Sequence, residues 1–411
     1  MSTFDKIIGY ETIKEELMKI CDMFQNREKY EEVGATLLNG VLICGNEGVG
    51  KTMLAECFVE ECGTSCLFID RSVNSYKIAE DLPQIFAEAK ENAPAIVFID
   101  DIDCIFDEDC YNKLQVEMDD SQNSVLVIAT AKDIDKIPDS LFRAGRFDRK
   151  IPVCLPTLQE RWQLFEYFLK DKNTEKINFE DLTMMCTDCS CADVKSIVNE
   201  AIIKATFSGR TEIYMNDFVA VCLKREYASP DSCTAGSKEE LRKTALHEAG
   251  HLVISEILCP DSVGLVSIRT EDGFTWRHMD LPRRIYDVVV SLGGKAAVEL
   301  YYAETCASGC QSDIRKAFRK LRLGMNDSGT CGIGMIDVDS FGIGMSESMN
   351  ARNEAVVHAE MEKCLFKARD ILLKNREFLE KATDLLLEKK HLLHSDIKAL
   401  KESLTITDVA V

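Results

Sequence analysis

The sequence predicts an α/β phosphate-binding core followed by a mainly α-helical second part. Three observations carry that reading. An apolar strand runs into GNEGVGKT (45–52) and then into a helix start. A second apolar run, AIVFIDDID (95–103), ends in acids. Both TALHEAGHLVISEIL (244–258) and the charged-faced, periodic stretch over 351–390 read as helices.

The first element fits G-x-x-x-x-G-K-[ST] in full, with the strand before it and the helix after it that the motif requires. Gly45, Gly48 and Gly50, with Asn46, Glu47 and Val49 between them, let backbone N–H groups wrap a phosphate chain. The helix beginning near Lys51 adds its positive N-terminal end. Lys51 is placed for the β and γ phosphates of ATP, and the Thr52 hydroxyl for Mg²⁺.

In AIVFIDDID the consecutive apolar residues suit a central parallel strand covered on both faces. Acids at the C-terminal end of such a strand stand where ligands bind. Asp100 is expected to hold Mg²⁺ through water and Asp101 to polarise the attacking water. Another strand, SVLVIATA (124–131), follows, then LFRAGRFDRKIPV (141–153), where Arg143, Arg146 and Arg149 recur at threes. An arginine supplied by a neighbouring subunit can neutralise charge in phosphoryl transfer; the ordinary alternative is a solvated basic face.

His247 and His251 are four apart, so on a helix they share one face and can turn their imidazoles toward one Zn²⁺. Glu248, beside that face, is the expected general base. The apolar residues behind the pair bury the helix, and Gly250 inside it asks for a close-packed neighbour. Catalytic zinc needs a third protein ligand; spacing leaves Glu299 and Asp313 both open.

Composition narrows the function further. A net charge of −21 argues against a nucleic-acid partner. No run of apolar residues is long enough for a membrane segment, and the first residues lack a secretory signal, so a cytoplasmic protein is expected. The 18 cysteines are then read as reduced, including the cluster Cys186, Cys189 and Cys191.

Together these pieces resemble the AAA+ ATPases, and with HEAGH one family, the FtsH-type ATP-dependent zinc metalloproteases. The likeness runs over roughly residues 4–404. It rests on IIGYETIKEEL, GNEGVGKT, FIDDID, LQVEMDD, LFRAGRFDR, CSCADVKSIVNEA, HEAGH, SLGGKAAVEL and ASGCQSDIRKA. It implies that Asp313 is the third zinc ligand, that Ile8 and Gly9 lie against adenine, and that Arg146 and Arg149 serve a neighbour's γ phosphate. It also implies an α/β AAA+ P-loop core with a helical lid, followed by a mainly α-helical zinc metallopeptidase domain. The expected divisions are a core over 1–154, a lid over 155–228, a linker over 229–237, a peptidase domain over 238–404 and a tail over 405–411. Cofactors would be Zn²⁺, ATP and Mg²⁺. Substrates would be unfolded or tagged proteins, and the assembly a homohexamer or a hetero-oligomer with a related subunit.

This sequence departs from the family at the motor. Asp101 stands where the family has Glu, and Lys132 where it has a polar Asn. The aromatic-apolar-glycine pore element is absent, with Tyr76, Lys77 and Ile78 the nearest substitute, and Asp120-Ser121 replaces Gly-Phe. The leading expectation is an ATP-dependent zinc endopeptidase. The alternatives are a nucleotide-binding regulatory or assembly subunit with weak ATPase, and an ATP-independent peptidase. A strand pair over 263–278, joined by an Asp-Gly turn, is expected to dock substrate along its edge.

Overall fold

A computed structural model describes residues 2–69, 75–122, 124–174, 177–227, 237–269, 273–277, 284–302, 309–328 and 347–409. The chain divides into two compact units, Met1–Lys172 with Asp188–Asn199, and Asn173–Thr187 with Glu200–Val411.

In the first unit β1 (Gly40–Gly45), β2 (Ser65–Ile69), β3 (Ala95–Ile99), β4 (Val125–Ala131) and β5 (Arg149–Val153) form one parallel sheet in the order β2-β3-β4-β1-β5. Every residue of β3 and β4 is buried, as their largely apolar runs predict for strands covered on both faces. The strand period of two divides those residues between two cores. On one face Val41, Ile43, Ile96 and Phe98 pack under the helices Glu11–Gln25 and Lys51–Cys62 through Leu17, Leu54 and Phe58. On the other, Leu42, Val97 and Val127 pack under Ser75–Glu91 and Glu108–Asp120 through Leu82, Phe86 and Leu114. Each fully buried Phe or Leu contributes about 1.5–3 kcal/mol of transfer free energy. Because β4 lies between β1 and β3, the loop leaving β1 and the acids leaving β3 flank the C-terminal end of β4. Sheet order, not sequence distance, brings them together.

The second unit is built around the helix Lys238–Leu258, which carries the histidine pair. Its start is a capping box: Ser237 Oγ accepts from the Glu240 N–H, and the Glu240 carboxylate accepts from the Ser237 N–H at 2.7 Å. The expected linker, apart from Ser237, lies outside the described residues. Gly250 has its close neighbour: a Cβ there would stand 2.5 Å from the Gly293 carbonyl oxygen. The helix Gly293–Tyr302 therefore crosses the histidine helix at backbone contact.

A small antiparallel sheet, in the order β7-β6-β8, joins β6 (Val263–Ser267), β7 (Phe274–Arg277) and β8 (His391–Leu393). The first two are the predicted strand pair; of its Asp-Gly turn only Gly273 lies among the described residues. The single helical period expected over 351–390 is two helices, Glu347–Lys374 and Arg376–Lys389, parted at Asn375. Asn375 is buried and bonds Ile371 and, through both ends of its amide, the backbone of Thr407. Among the described residues no helix is long and apolar enough to cross a membrane.

Candidate active site

The loop after β1 holds itself ready for an anion. Gly48 and Gly50 take positive φ of 76° and 98°, conformations open to glycine, and Gly50 caps the helix that starts at Lys51. Val49 is fully buried beneath the loop. The Lys51 ammonium donates to the carbonyls of Gly45 and Asn46 at 2.9 and 2.8 Å, so it is folded over the loop and buried. Burial, then the positive charge of Lys132, pushes its pKa down from the ordinary lysine value.

Across the end of β4, Asp100 Oδ1 accepts from the hydroxyls of Thr52 at 2.9 Å and Thr130 at 2.7 Å. Thr130 also accepts from the Asp101 N–H at 2.8 Å. Sequence reasoning passed over Thr130; a hydroxyl within the apolar run SVLVIATA is the signal that marks it. Asp101 is 6% exposed and sits in the left-handed region (φ 51°), where it caps the short helix Ile102–Ile105. Lys132 pairs with Glu47 of the phosphate loop at 3.0 Å.

Ile8 and Gly9 stand in a turn fixed by Glu160, which accepts from the Tyr10 N–H at 2.7 Å. A side chain on Gly9 would meet Glu160 Cγ at 2.7 Å. Arg146 and Arg149 do not join the loop of their own chain. Arg149 pairs in register with Val41, at the start of β1, so the strand rise of about 3.3 Å per residue puts it roughly 13 Å before Gly45. Arg146 forks onto Asp119 and bonds Gln115, while Arg149 reaches Glu16 at 3.1 Å. Of the substitute pore residues, Tyr76 is 72% exposed, whereas Ile78 is a core residue under the sheet and not part of an exposed element.

In the second unit the histidines meet one carboxylate. His247 Nε2 and His251 Nε2 lie 3.0 and 3.1 Å from Asp313 Oδ2, and 3.1 Å from each other. A near-equilateral triangle of that size leaves a point about 2.0–2.1 Å from all three donors, roughly 1 Å off their plane, which is the bonding distance of zinc. The donor set, two imidazoles and a carboxylate, is that of a catalytic zinc site. It is also the one group of potential metal ligands among the described residues. Glu299, the other candidate, is engaged elsewhere by Lys295 and Arg369.

Supporting groups fix each ligand. His251 donates Nδ1–H to the Val290 carbonyl at 2.7 Å, which leaves its Nε2 lone pair facing the triangle. Gly294 lies so close to His247 that a Cβ would stand 2.4 Å from the ring. Neither Val290 nor Gly294 was singled out by sequence reasoning, although the Gly-Gly pair in SLGGKAAVEL is a signal for close helix approach. Burial alone would raise the Asp313 carboxyl, but the two imidazoles set against it outweigh burial and hold its pKa well below the usual range. Burial opposes a proton on His251, yet Asp313 and Glu248 outweigh it and raise its pKa. The pocket thus favours positive charge at its centre, which a divalent cation satisfies. Glu248 is 3% exposed beside the triangle, and burial pushes its carboxyl above the ordinary range against the pull of both imidazoles.

A phosphate loop on a parallel sheet and a zinc-ligand triangle with an adjacent carboxylate define a nucleotide-dependent metallopeptidase. Comparisons agree with that class. Residues 41–155 match the ATPase family associated with various cellular activities (AAA), and residues 234–400 match peptidase family M41. The chain is similar to ATP-dependent zinc metalloprotease FtsH 3 of Symbiobacterium thermophilum, 30% identical over 98% of this chain and 71% of that protein. It is likewise 31% identical to FtsH 1 of Thermomicrobium roseum, covering 68% of that protein, and 31% identical to FtsH of Mycoplasma pneumoniae, of which it spans 62%. The chain belongs to the FtsH family of ATP-dependent zinc metalloproteases.

Proposed function

We propose that this chain is an ATP-driven zinc endopeptidase that unfolds, threads and degrades protein substrates as a ring. The observation that carries the reading is the triangle of His247, His251 and Asp313 with Glu248 beside it. These residues would hold Zn²⁺, which when bound polarises a peptide carbonyl and acidifies water. Glu248 takes the proton of the attacking water and passes it to the leaving amine, two steps that one buried carboxylate with a raised pKa can serve.

In the motor, Lys51 and the N–H groups of the loop over 45–52 would bind the β and γ phosphates of ATP, with Thr52 and Asp100 on the Mg²⁺ side. Asp101 is the proposed water-polarising residue, Lys132 a proposed cationic contact to the bound nucleotide, and Ile8 and Gly9 the adenine contact. Arg146 and Arg149 stand at the sheet end away from their own loop, which supports a role toward the neighbour in a homohexamer or a related hetero-oligomer. Tyr76 is the proposed grip on unfolded or tagged substrates in the cytoplasm. The division into core (1–154), lid (155–228), linker (229–237), peptidase (238–404) and tail (405–411) is the matching assignment of roles. The names of the similar proteins favour this reading over a regulatory subunit or an ATP-independent peptidase.

The test is Glu248→Gln. The variant should bind zinc like the wild type while casein cleavage falls by about 100-fold or more. Cleavage at the wild-type rate would remove Glu248 from the mechanism.

A further inference from the structure

We propose that Thr275 is the positioning residue for the base Glu248, tying that carboxylate to the edge strand β7; this rests on the proposed role of Glu248. The Thr275 hydroxyl lies 2.9 Å from Glu248 Oε2 and 3.2 Å from the Glu248 backbone oxygen. A hydroxyl donates once and accepts as well. It can therefore donate to the ionised carboxylate, or accept from the protonated one while donating to the backbone oxygen. Both forms of the base keep a partner in the same place.

The hydroxyl is itself held. Thr275 pairs in register with Val266 on β6, and its β-branched side chain has few rotamers. Two residues earlier, Gly273 takes a positive φ of 67° and passes so near the base that a Cβ would stand 2.8 Å from Glu248 Cγ. Two residues later, Arg277 bonds Asp287 at 2.7 Å, and Asp287 also pairs with Lys320 on the helix that carries Asp313. The helix Arg284–Ser291, which holds Asp287, supplies the Val290 carbonyl that orients His251. One short strand is thus fastened to the base and, through Asp287, to the elements holding two zinc ligands. Among the described residues β7 pairs with β6 along one side and ends the sheet, so an extended peptide laid along it would bear directly on Thr275.

The test uses the full chain with its zinc and ATP. Thr275→Val keeps the shape and removes the hydroxyl; kcat for casein should fall about 10- to 100-fold, the effect of a lost hydrogen bond to a charged group. KM should stay within about twofold and zinc content should be unchanged, because no ligand is touched. Thr275→Ser should recover most of the lost kcat, a rescue that a packing role would not give. Should the valine variant fail to fold, Thr275→Ala is read in its place. A kcat within about twofold of wild type in the hydroxyl-free variant overturns the inference. So does a serine variant as slow as valine, or a loss that tracks zinc content. Glu248→Gln separates the two claims. If it is inactive while Thr275→Val runs at full rate, only the positioning role falls; if it cleaves normally, the base assignment falls first.

Discussion

The two chemical centres of this chain are built on different plans. The zinc triangle draws its ligands from two helices of one unit, and each ligand is fixed by a second group: Val290 for His251, backbone contact with Gly294 for His247, both imidazoles for Asp313. The phosphate centre draws on the C-terminal ends of adjacent strands and closes on itself. Lys51 turns onto the loop carbonyls, Thr52 and Thr130 share Asp100, and Lys132 pairs with Glu47. Asp101 and Lys132, the departures from the family read in the sequence, are the proposed places for charge in water attack. A metal site tolerates no missing donor, whereas a phosphate loop keeps its grip through backbone N–H groups even when the acid beside it is one methylene short.

The largest expected effect separates the centres outright. Asp313→Ala should drop zinc content from about one per chain to near background and remove casein cleavage, while ATP turnover stays within about twofold. A parallel fall in ATP turnover, measured by phosphate release, would mean the centres are not independent. Next in size is Asp101→Glu. Extending the carboxylate by about 1 Å should raise ATP turnover by roughly tenfold to 100-fold if reach limits hydrolysis. An unchanged rate would show that the buried, left-handed position of Asp101 already suits aspartate.

Smallest is a pH effect confined to the peptidase-side sheet. Burial and then the charge of Arg269, against the opposing pull of Asp396, push the His391 pKa down to about 4. The unfolded chain takes up that proton near pH 6.5, whereas the folded chain resists it until about pH 4. The stability associated with neutral His391 is therefore whole above pH 6.5 and lost as pH falls toward 4, by on the order of 1–3 kcal/mol. His391→Gln should flatten that part of the melting-temperature profile; an equally steep profile would assign the loss to carboxylates.

Much of this was legible beforehand because it depends on local spacing. The i,i+4 histidines, the glycine-rich loop between strand and helix, and the apolar strand ending in Asp100 and Asp101 declare themselves within a few residues. What stayed hidden depends on distant chain segments. Asp313 could not be told from Glu299 by spacing, and came only from resemblance to a family. Thr130, Val290, Thr275 and Gly294 act through placement: one buried hydroxyl, one carbonyl, one strand residue and one missing Cβ. The strand β8 has three residues, too few for a period of two to show. The break at Asn375 was hidden because asparagine is tolerated on an exposed helix face, while its burial against Thr407 is a tertiary fact.

The paired absence of side chains at Gly250 and Gly293 has a mechanical meaning. With a carbonyl seated where each Cβ would stand, the two helices interlock like a pawl in a ratchet tooth. Sliding one along the other by a single residue, about 1.5 Å, would lift the backbones apart and carry His247 away from its seat on Gly294. Helix register and ligand placement are consequently one degree of freedom. Force transmitted into this unit while a substrate is hauled through would have to unseat that catch before it could spread the cation's grip.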